Sequence, residues 1–265
     1  MGKGGRILWT RARSRANNLG RPEGRRRGRE TLRPSTTKGR TVRTAVLIPA
    51  YNCETWIEDL VSRCLTHSPR VLVVDDGSTD RTTSSAWLGG AEVVRHPRNR
   101  GKGLALRTGF DLLLREGDWE ALITLDADGQ HDPSDIPRLI EAGQEKGVGI
   151  VIGSRLSHMM GMKRIRRFFN RLSSRCISGV CKQEIEDTQS GFRMIRADLL
   201  RKVCVSGSRY DLEAELLIKA SRAGYSIVSI PVSVPQVDGL PTSHYRPFRD
   251  SYLIGLQVLR HFLRR

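Results

Sequence analysis

Two carboxylates, Asp126 and Asp128, follow directly on the apolar run Ala121–Leu125. Alternation along an extended chain sends residues i and i+2 to one side, so both share the open end of a strand. Two hard oxygen ligands that close together suit Mg2+ or Mn2+, which keep other positions for phosphate oxygens. Gln130 would add a third, neutral oxygen. An isolated Asp-x-Asp is more often a solvated turn, but a turn needs neither the buried strand before it nor Gly129-Gln130-His131 behind it. Asp75-Asp76-Gly77-Ser78 ends a second apolar run, Arg70–Val74. One reading is a structural turn, since Asp and Ser are ordinary turn and cap residues. The other is a carboxylate that accepts a hydrogen bond from a nucleobase or ribose. Gly101-Lys102-Gly103 opens a helix whose N–H groups, with Lys102, could meet phosphate. It is neither GxxxxGK[ST] nor GxGxxG, because position 106 is Leu.

The elements that must position these residues alternate. Strands are expected over Ala45–Ile48, Arg70–Val74, Glu92–Arg95, Ala121–Leu125 and Ile150–Ile152, and helices over Glu54–His67, 80–88, Gly101–Arg115 and 133–146. Such alternation implies an α/β fold, a mostly parallel sheet with helices on both faces. Ligands then sit at the carboxyl ends of the strands, where Pro49-Ala50-Tyr51-Asn52, Asp75-Asp76 and Asp126-Ala127-Asp128 converge. Further on, Gly191–Arg196 and Ser226–Ile230 read as strands and Tyr210–Ala223 as a helix, with Glu213 as packed helix surface. Lys163–Gly179 reads as a basic helix with Ile165, Phe168, Phe169, Leu172 and Cys176 on one face and Lys163, Arg167, Arg171 and Arg175 at i, i+4 spacing beside it. That stripe is either a solvated face or a phosphate site, for which the Arg fork is suited. Ser243–Arg246 follows Pro- and Gly-rich sequence and reads as a loop that could close over phosphate with His244 and Arg246. Phe248–Leu263 reads as an amphipathic helix, either core packing or a peripheral membrane contact.

The chain has 265 residues, 45 Lys+Arg and 28 Asp+Glu, a net charge of +17. Residues 1–40 hold 13 Lys/Arg against two Glu, so 11 of those charges lie there. The expected organisation is a disordered basic tail over 1–43, a folded domain over 44–247 and the final helix over 248–265. Five cysteines without a CxxC pair favour a reduced, cytoplasmic setting and argue against structural zinc. No apolar run reaches the roughly 18–20 residues that span a bilayer, and there is no signal-type segment. Arg6 stands where a myristoylation motif needs Ser or Thr. A nucleic-acid-binding protein acting through the Arg-rich tail is a rival reading. Against specific recognition stand the 6% aromatic content and the lack of any helix-turn-helix, RRM or finger pattern.

Ile48-Pro-Ala-Tyr-Asn52, Val74-Asp-Asp-Gly-Ser78, Arg100-Gly-Lys-Gly103, Leu125-Asp-Ala-Asp-Gly-Gln130, Gly153-Ser-Arg155 and Asp187-Thr-Gln-Ser-Gly-Phe-Arg193 occur in that order. Together they resemble family 2 glycosyltransferases of the GT-A fold, and within them the dolichol- or polyprenol-phosphate mannosyl- and glucosyltransferases. The likeness spans roughly Thr44–Arg249. It implies that Pro49, Tyr51 and Asp76, with Lys102 and Asp126, hold a UDP- or GDP-linked sugar. Asp126, Asp128 and Gln130 would hold Mg2+ or Mn2+. Arg155, Arg167 and Arg171 would face the acceptor phosphate. The implied reaction is inverting hexosyl transfer to a polyprenyl or dolichyl phosphate, at the inner face of the membrane and without a spanning helix. Where the family usually has Glu after Tyr-Asn, this chain has Cys53. If the acceptor is a hydroxyl, soluble or on a polysaccharide, a general base is needed, and Asp187 is the candidate. Its alternative is a structural carboxylate that pins the 187–193 loop.

Overall fold

The computed structural model describes residues 42–155, 164–207 and 211–235, the side chains of 164–169 excepted. The expected tail up to residue 41, the 243–246 loop and the final helix lie outside the described residues. Seven strands form one sheet: β1 (Thr44–Ala50), β2 (Val71–Asp75), β3 (Glu92–Arg95), β4 (Ala121–Thr124), β5 (Val148–Ser154), β6 (Arg193–Arg196) and β7 (Ser226–Pro231). Their order is β3-β2-β1-β4-β6-β5-β7. All are parallel except β6, which runs antiparallel to β4 and β5.

β2, β4 and β5 are buried along their whole length, and β1 is buried except at Pro49, as strands covered on both faces must be. The helices α1 (Ile57–Leu65), α2 (Thr82–Leu88), α3 (Lys102–Glu116), α4 (Ile136–Ala142), α5 (Arg164–Cys181), α6 (Ala197–Lys202) and α7 (Asp211–Arg222) supply the cover. Two apolar cores result. One packs Leu47, Leu72 and Leu122 with α3, α6 and α7. The other packs Val46, Val73 and Ile123 with α1 and α4.

The sequence reading needs three corrections. The helix expected over 133–146 is a 3-10 turn, Pro133–Asp135, followed by the shorter α4. The segment read as strand from Gly191 begins at Arg193 and is followed at once by α6, which the periodicity did not separate. The third concerns α5. Leu172, placed on its inner face, is 47% exposed, and Cys176 is exposed too. The face turned inward carries Asn170, Ser173, Ile177 and Cys181. Hydrogen bonds set this rotation. Thr188 N donates to Ser174 Oγ at 3.1 Å and Ile185 N to Ser178 Oγ at 3.0 Å.

Candidate active site

The carboxyl ends of β1, β2 and β4 lie side by side, and the loops leaving them carry Tyr51-Asn52, Asp75-Asp76 and Asp126-Asp128. Pro49 is the penultimate residue of β1, paired in register with Val74, and Tyr51 is half-buried just past the strand end. Asn52 adopts positive φ (50°). Its Oδ1 accepts from Thr79 N at 2.9 Å, and its N donates to Ser78 Oγ at 2.9 Å. Cys53 is buried, its thiol pushed up to about 12 by burial, so it is an inert packing residue. The neighbouring Glu54 accepts from Arg81 N at 2.8 Å and thereby ties the β1 loop to the start of α2.

Asp75 and Asp76 are both buried and both engaged. Asp75 Oδ1 accepts from Ser78 N at 2.8 Å, and its other oxygen accepts from Thr83 Oγ1. Asp76 accepts from Arg100 N at 3.0 Å and from Gly101 N at 2.6 Å, while His96 Nδ1 lies 2.7 Å from its Oδ1. The side chain assigned to the nucleotide thus pins the 96–101 loop to the end of β2. Gly77 (φ 77°) lets that loop pass: a Cβ there would collide with the backbone of Arg98. His96, whose Nε2 lies 3.0 Å from Thr108 Oγ1 on α3, completes this clamp. Only its partners across 20 residues reveal it.

Lys102, the first residue of α3, extends its ammonium to Asp126 Oδ1 at 2.7 Å and to Glu213 Oε1 at 3.2 Å. Asp128 Oδ1 accepts from Gln130 N at 3.1 Å. The two carboxylates are driven apart. Burial raises both, but Lys102 outweighs it at Asp126, which lies below the ordinary carboxylate value. At Asp128 burial and the charge of Asp126 act together, and it lies above. Gln130 Oε1 accepts from Arg155 Nη1 at 2.9 Å. Among the described residues no three His, Cys, Asp or Glu side chains stand close enough to hold a metal ion. Two carboxylates and an amide oxygen nevertheless fit a hard divalent cation that completes its shell with phosphate oxygens and water.

Arg155 and Asp187 are brought together as an ion pair. Arg155 donates through Nε to Asp187 Oδ2 at 2.9 Å and through Nη2 to Oδ1 at 3.1 Å, and its backbone N donates to Oδ2 at 3.1 Å. Arg155 is 8% exposed and Asp187 2%. Burial raises the Asp187 carboxyl, but Arg155 outweighs it and holds the group below its usual value. A carboxylate closed from solvent, ion-paired and reluctant to take a proton is unsuited to general-base work. Nor is Arg155 a free fork for an incoming phosphate, because all three of its nitrogens are engaged. The pair anchors the loop before β6 to Gln130. Arg171 is exposed on α5, and Arg167 lies one turn earlier on the same helix.

Sequence reasoning missed two further residues. Arg193 on β6 is 1% exposed and donates to the carbonyls of Ser190, Thr188 and Glu213. His131 is buried against the Phe192 ring, with neither ring nitrogen hydrogen-bonded. Burial pushes it down to about 3, so it is neutral. Its place directly after Gln130 was the only hint.

The same architecture is found in solved structures. Glucosyl-3-phosphoglycerate synthase from Mycobacterium tuberculosis, solved with Mn2+, UDP and phosphoglyceric acid, superposes with a TM-score of 0.63. It is 23% identical, over 84% of this chain and 78% of that one. The polyprenol monophosphomannose synthase of Mycolicibacterium smegmatis is 32% identical over 217 residues, 76% of this chain and 80% of the relative. The dolichol-phosphate mannosyltransferase of Pyrococcus furiosus is 31% identical over 241 residues, 84% of this chain and 63% of the relative. The family profile described as Glycosyl transferase family 2 matches residues 45–204, the stretch that carries nearly all of β1 to β6 and the Lys102–Asp126 and Arg155–Asp187 ion pairs. With sheet order, clustered carboxylates and matched segment in agreement, the chain belongs to glycosyl transferase family 2, on the GT-A fold.

Proposed function

We propose that this enzyme transfers a hexose from a UDP- or GDP-linked sugar to a polyprenyl or dolichyl phosphate, with inversion, while in peripheral contact with the inner face of the membrane. The observation that carries the choice of acceptor is the Arg155–Asp187 lock. A hydroxyl acceptor must lose a proton as it attacks, and the carboxylate best placed by sequence to take it is closed off. A phosphate monoester is already ionised at neutral pH and attacks without a base. Two further facts support this reading. Relatives at about 30% identity are named as polyprenol- and dolichol-phosphate mannosyltransferases. On α5, the outward Leu172 stands between the exposed Arg171 and Arg175, a surface that offers cations to a phosphate and apolar area to a lipid chain. Among the described residues no helix is long and apolar enough to cross a membrane.

Asp126, Asp128 and Gln130 would hold Mg2+ or Mn2+, which offsets the charge growing on the departing diphosphate. The chain's own residues do the rest. Pro49 and Tyr51 border the nucleotide at the end of β1. Asp76 holds the 96–101 loop against it, and Lys102 presents an ammonium to the diphosphate. Arg167 and Arg171 meet the acceptor phosphate. Asp128→Ala should lower turnover at least about 100-fold, the order seen when a main charge-stabilising group is removed. The decisive experiment supplies Mn2+, a panel of labelled sugar nucleotides and two acceptors, a short polyprenyl phosphate and a soluble sugar, and identifies products by mass spectrometry. A glycosylated polyprenyl phosphate is expected. Transfer to the hydroxyl acceptor alone, or full turnover in excess chelator, would overturn the reading.

A further inference from the structure

Glu213 has no role in the reaction as described so far, yet its surroundings make it costly. It is 6% exposed on α7, between Leu212 and Ala214 and one turn from Leu216 and Leu217, all fully buried. A carboxylate in such a place is tolerated only when paired. Its close partner is the Lys102 ammonium at 3.2 Å; Arg193 Nη2 stands farther off at 3.9 Å. The same ammonium is closer still to Asp126, at 2.7 Å. One cation is therefore shared by two carboxylates, and one of these is expected to bind the metal.

We infer that Lys102 is a built-in competitor for the metal: its ammonium holds Asp126 while no divalent cation is bound and is handed to Glu213 when one arrives. The inference rests on the metal-dependent reading above. The hand-over needs no backbone movement. The start of α3 is fixed by the Gly101 N–H bond to Asp76 at 2.6 Å. Glu213 is fixed from behind, because its main-chain oxygen accepts from Arg193 Nη1 at 3.3 Å. Only the flexible lysine stem has to turn between two acceptors that both already lie within reach. Lysine suits this task better than arginine, as a compact charge on a rotatable stem with no fixed fork to satisfy.

Charge balance gives the device its use. In this partly buried network Asp126, Asp128, Asp187 and Glu213 face Lys102, Arg155 and Arg193, which leaves one net negative charge. A divalent cation alone turns this to one net positive charge; a diphosphate arriving with it restores a negative balance. Lys102 thus disfavours metal without nucleotide, and Glu213 keeps the displaced ammonium paired and close to the diphosphate. A lysine that served only as a phosphate contact would leave the affinity for free metal untouched.

The test titrates Mn2+ alone, with free Mn2+ followed by electron paramagnetic resonance at low ionic strength, into the wild type, Lys102→Gln, Glu213→Gln and the double variant. Thermal unfolding checks that each is folded. Removing a unit charge a few ångströms from the ion should tighten Mn2+ binding by about 10-fold in Lys102→Gln. Glu213→Gln, which removes the second carboxylate from beside the ammonium, should weaken it by roughly 3- to 10-fold, and the double variant should match Lys102→Gln, because interacting sites are not additive. A purely structural Glu213 would not lose its effect when Lys102 is absent. Equal or weaker Mn2+ binding in Lys102→Gln, or a Glu213→Gln effect that persists in the double variant, overturns the inference. A parallel titration with UDP or GDP present separates the two levels. If the wild type takes up Mn2+ with nucleotide but Lys102→Gln binds Mn2+ alone no better than the wild type, the competitor fails and the metal-dependent enzyme stands. If nothing binds Mn2+ even with nucleotide, both fail.

Discussion

At the scale of single residues the site depends as much on what is missing as on what is present. Gly191 lies so close to the Asp126 carboxylate that a Cβ there would overlap it. Gly191→Ala should therefore leave the fold intact but displace Asp126. Because small misplacements of catalytic groups are costly, turnover should fall by about 10- to 100-fold. Steady-state kinetics beside a thermal melt would check it, and an unchanged rate would mean that Asp126 need not sit where it does. Asp187 gives the second prediction. Removing one partner of a buried ion pair typically costs about 3–5 kcal/mol, so Asp187→Asn should be markedly destabilised in urea. The pH dependence has a definite sign. With its carboxyl held below the usual 3.8, the folded state gives up this proton more readily than the unfolded chain. Its stabilisation is complete above the unfolded value, about pH 4, and is lost as pH falls through the lower folded value. The wild type should lose stability more steeply than Asp187→Asn below about pH 5. Parallel acid profiles would contradict this.

At the scale of elements, β1, β2 and β4 were legible because each is a short apolar run that leads into Tyr51-Asn52, Asp75-Asp76 or Asp126. Asp126 and Asp128 were legible for the same reason: residue type and strand end coincide. β6 was legible as a strand, but its antiparallel direction was not, because that is set by pairing to β4 and β5. Glu213 was hidden likewise. Its partner lies 111 residues away, and spacing along α7 describes only α7. The rotation of α5 was misread because its apolar stripe is the stronger local signal, while Ser174 and Ser178 hold the helix by hydrogen bonds to a loop. A pair of substitutions tests that rotation. Ile177→Ala should cost about 2–5 kcal/mol as a core truncation. Leu172→Ala should stay within roughly 0.5 kcal/mol, as exposed substitutions do. Equal losses in denaturant melts would restore the rotation that the stripe implied.

At the scale of the whole molecule, charge and fold are separate properties. Eleven of the 17 net positive charges lie in residues 1–40, and the first described residues after them, Val42 and Arg43, already contact the domain. Val42 packs against the core beside α1 and α4. Arg43 N donates to Glu120 Oε1 at 3.3 Å, and its carbonyl accepts from Glu120 N at 2.9 Å, which stitches the entry of β1 to that of β4. Cutting before these contacts and cutting after them should therefore have different consequences. A chain beginning at Thr41 should unfold as cooperatively as the full chain and keep its rate with a short soluble acceptor. One beginning at Ala45 loses the Glu120 pairings and should unfold at lower denaturant. The electrostatic contribution of the basic segment acts at a distance and is screened within about 8–10 Å at 0.1–0.15 M salt. Binding to vesicles of phosphatidylglycerol and phosphatidylcholine should thus weaken in the Thr41 chain at low ionic strength, and the difference from the full chain should vanish as salt rises. The fold and the transfer site would then belong to the chain from Val42 onward, with the preceding segment adding attraction to anionic surfaces. Loss of cooperative unfolding in the Thr41 chain would show instead that residues before Val42 are part of the domain.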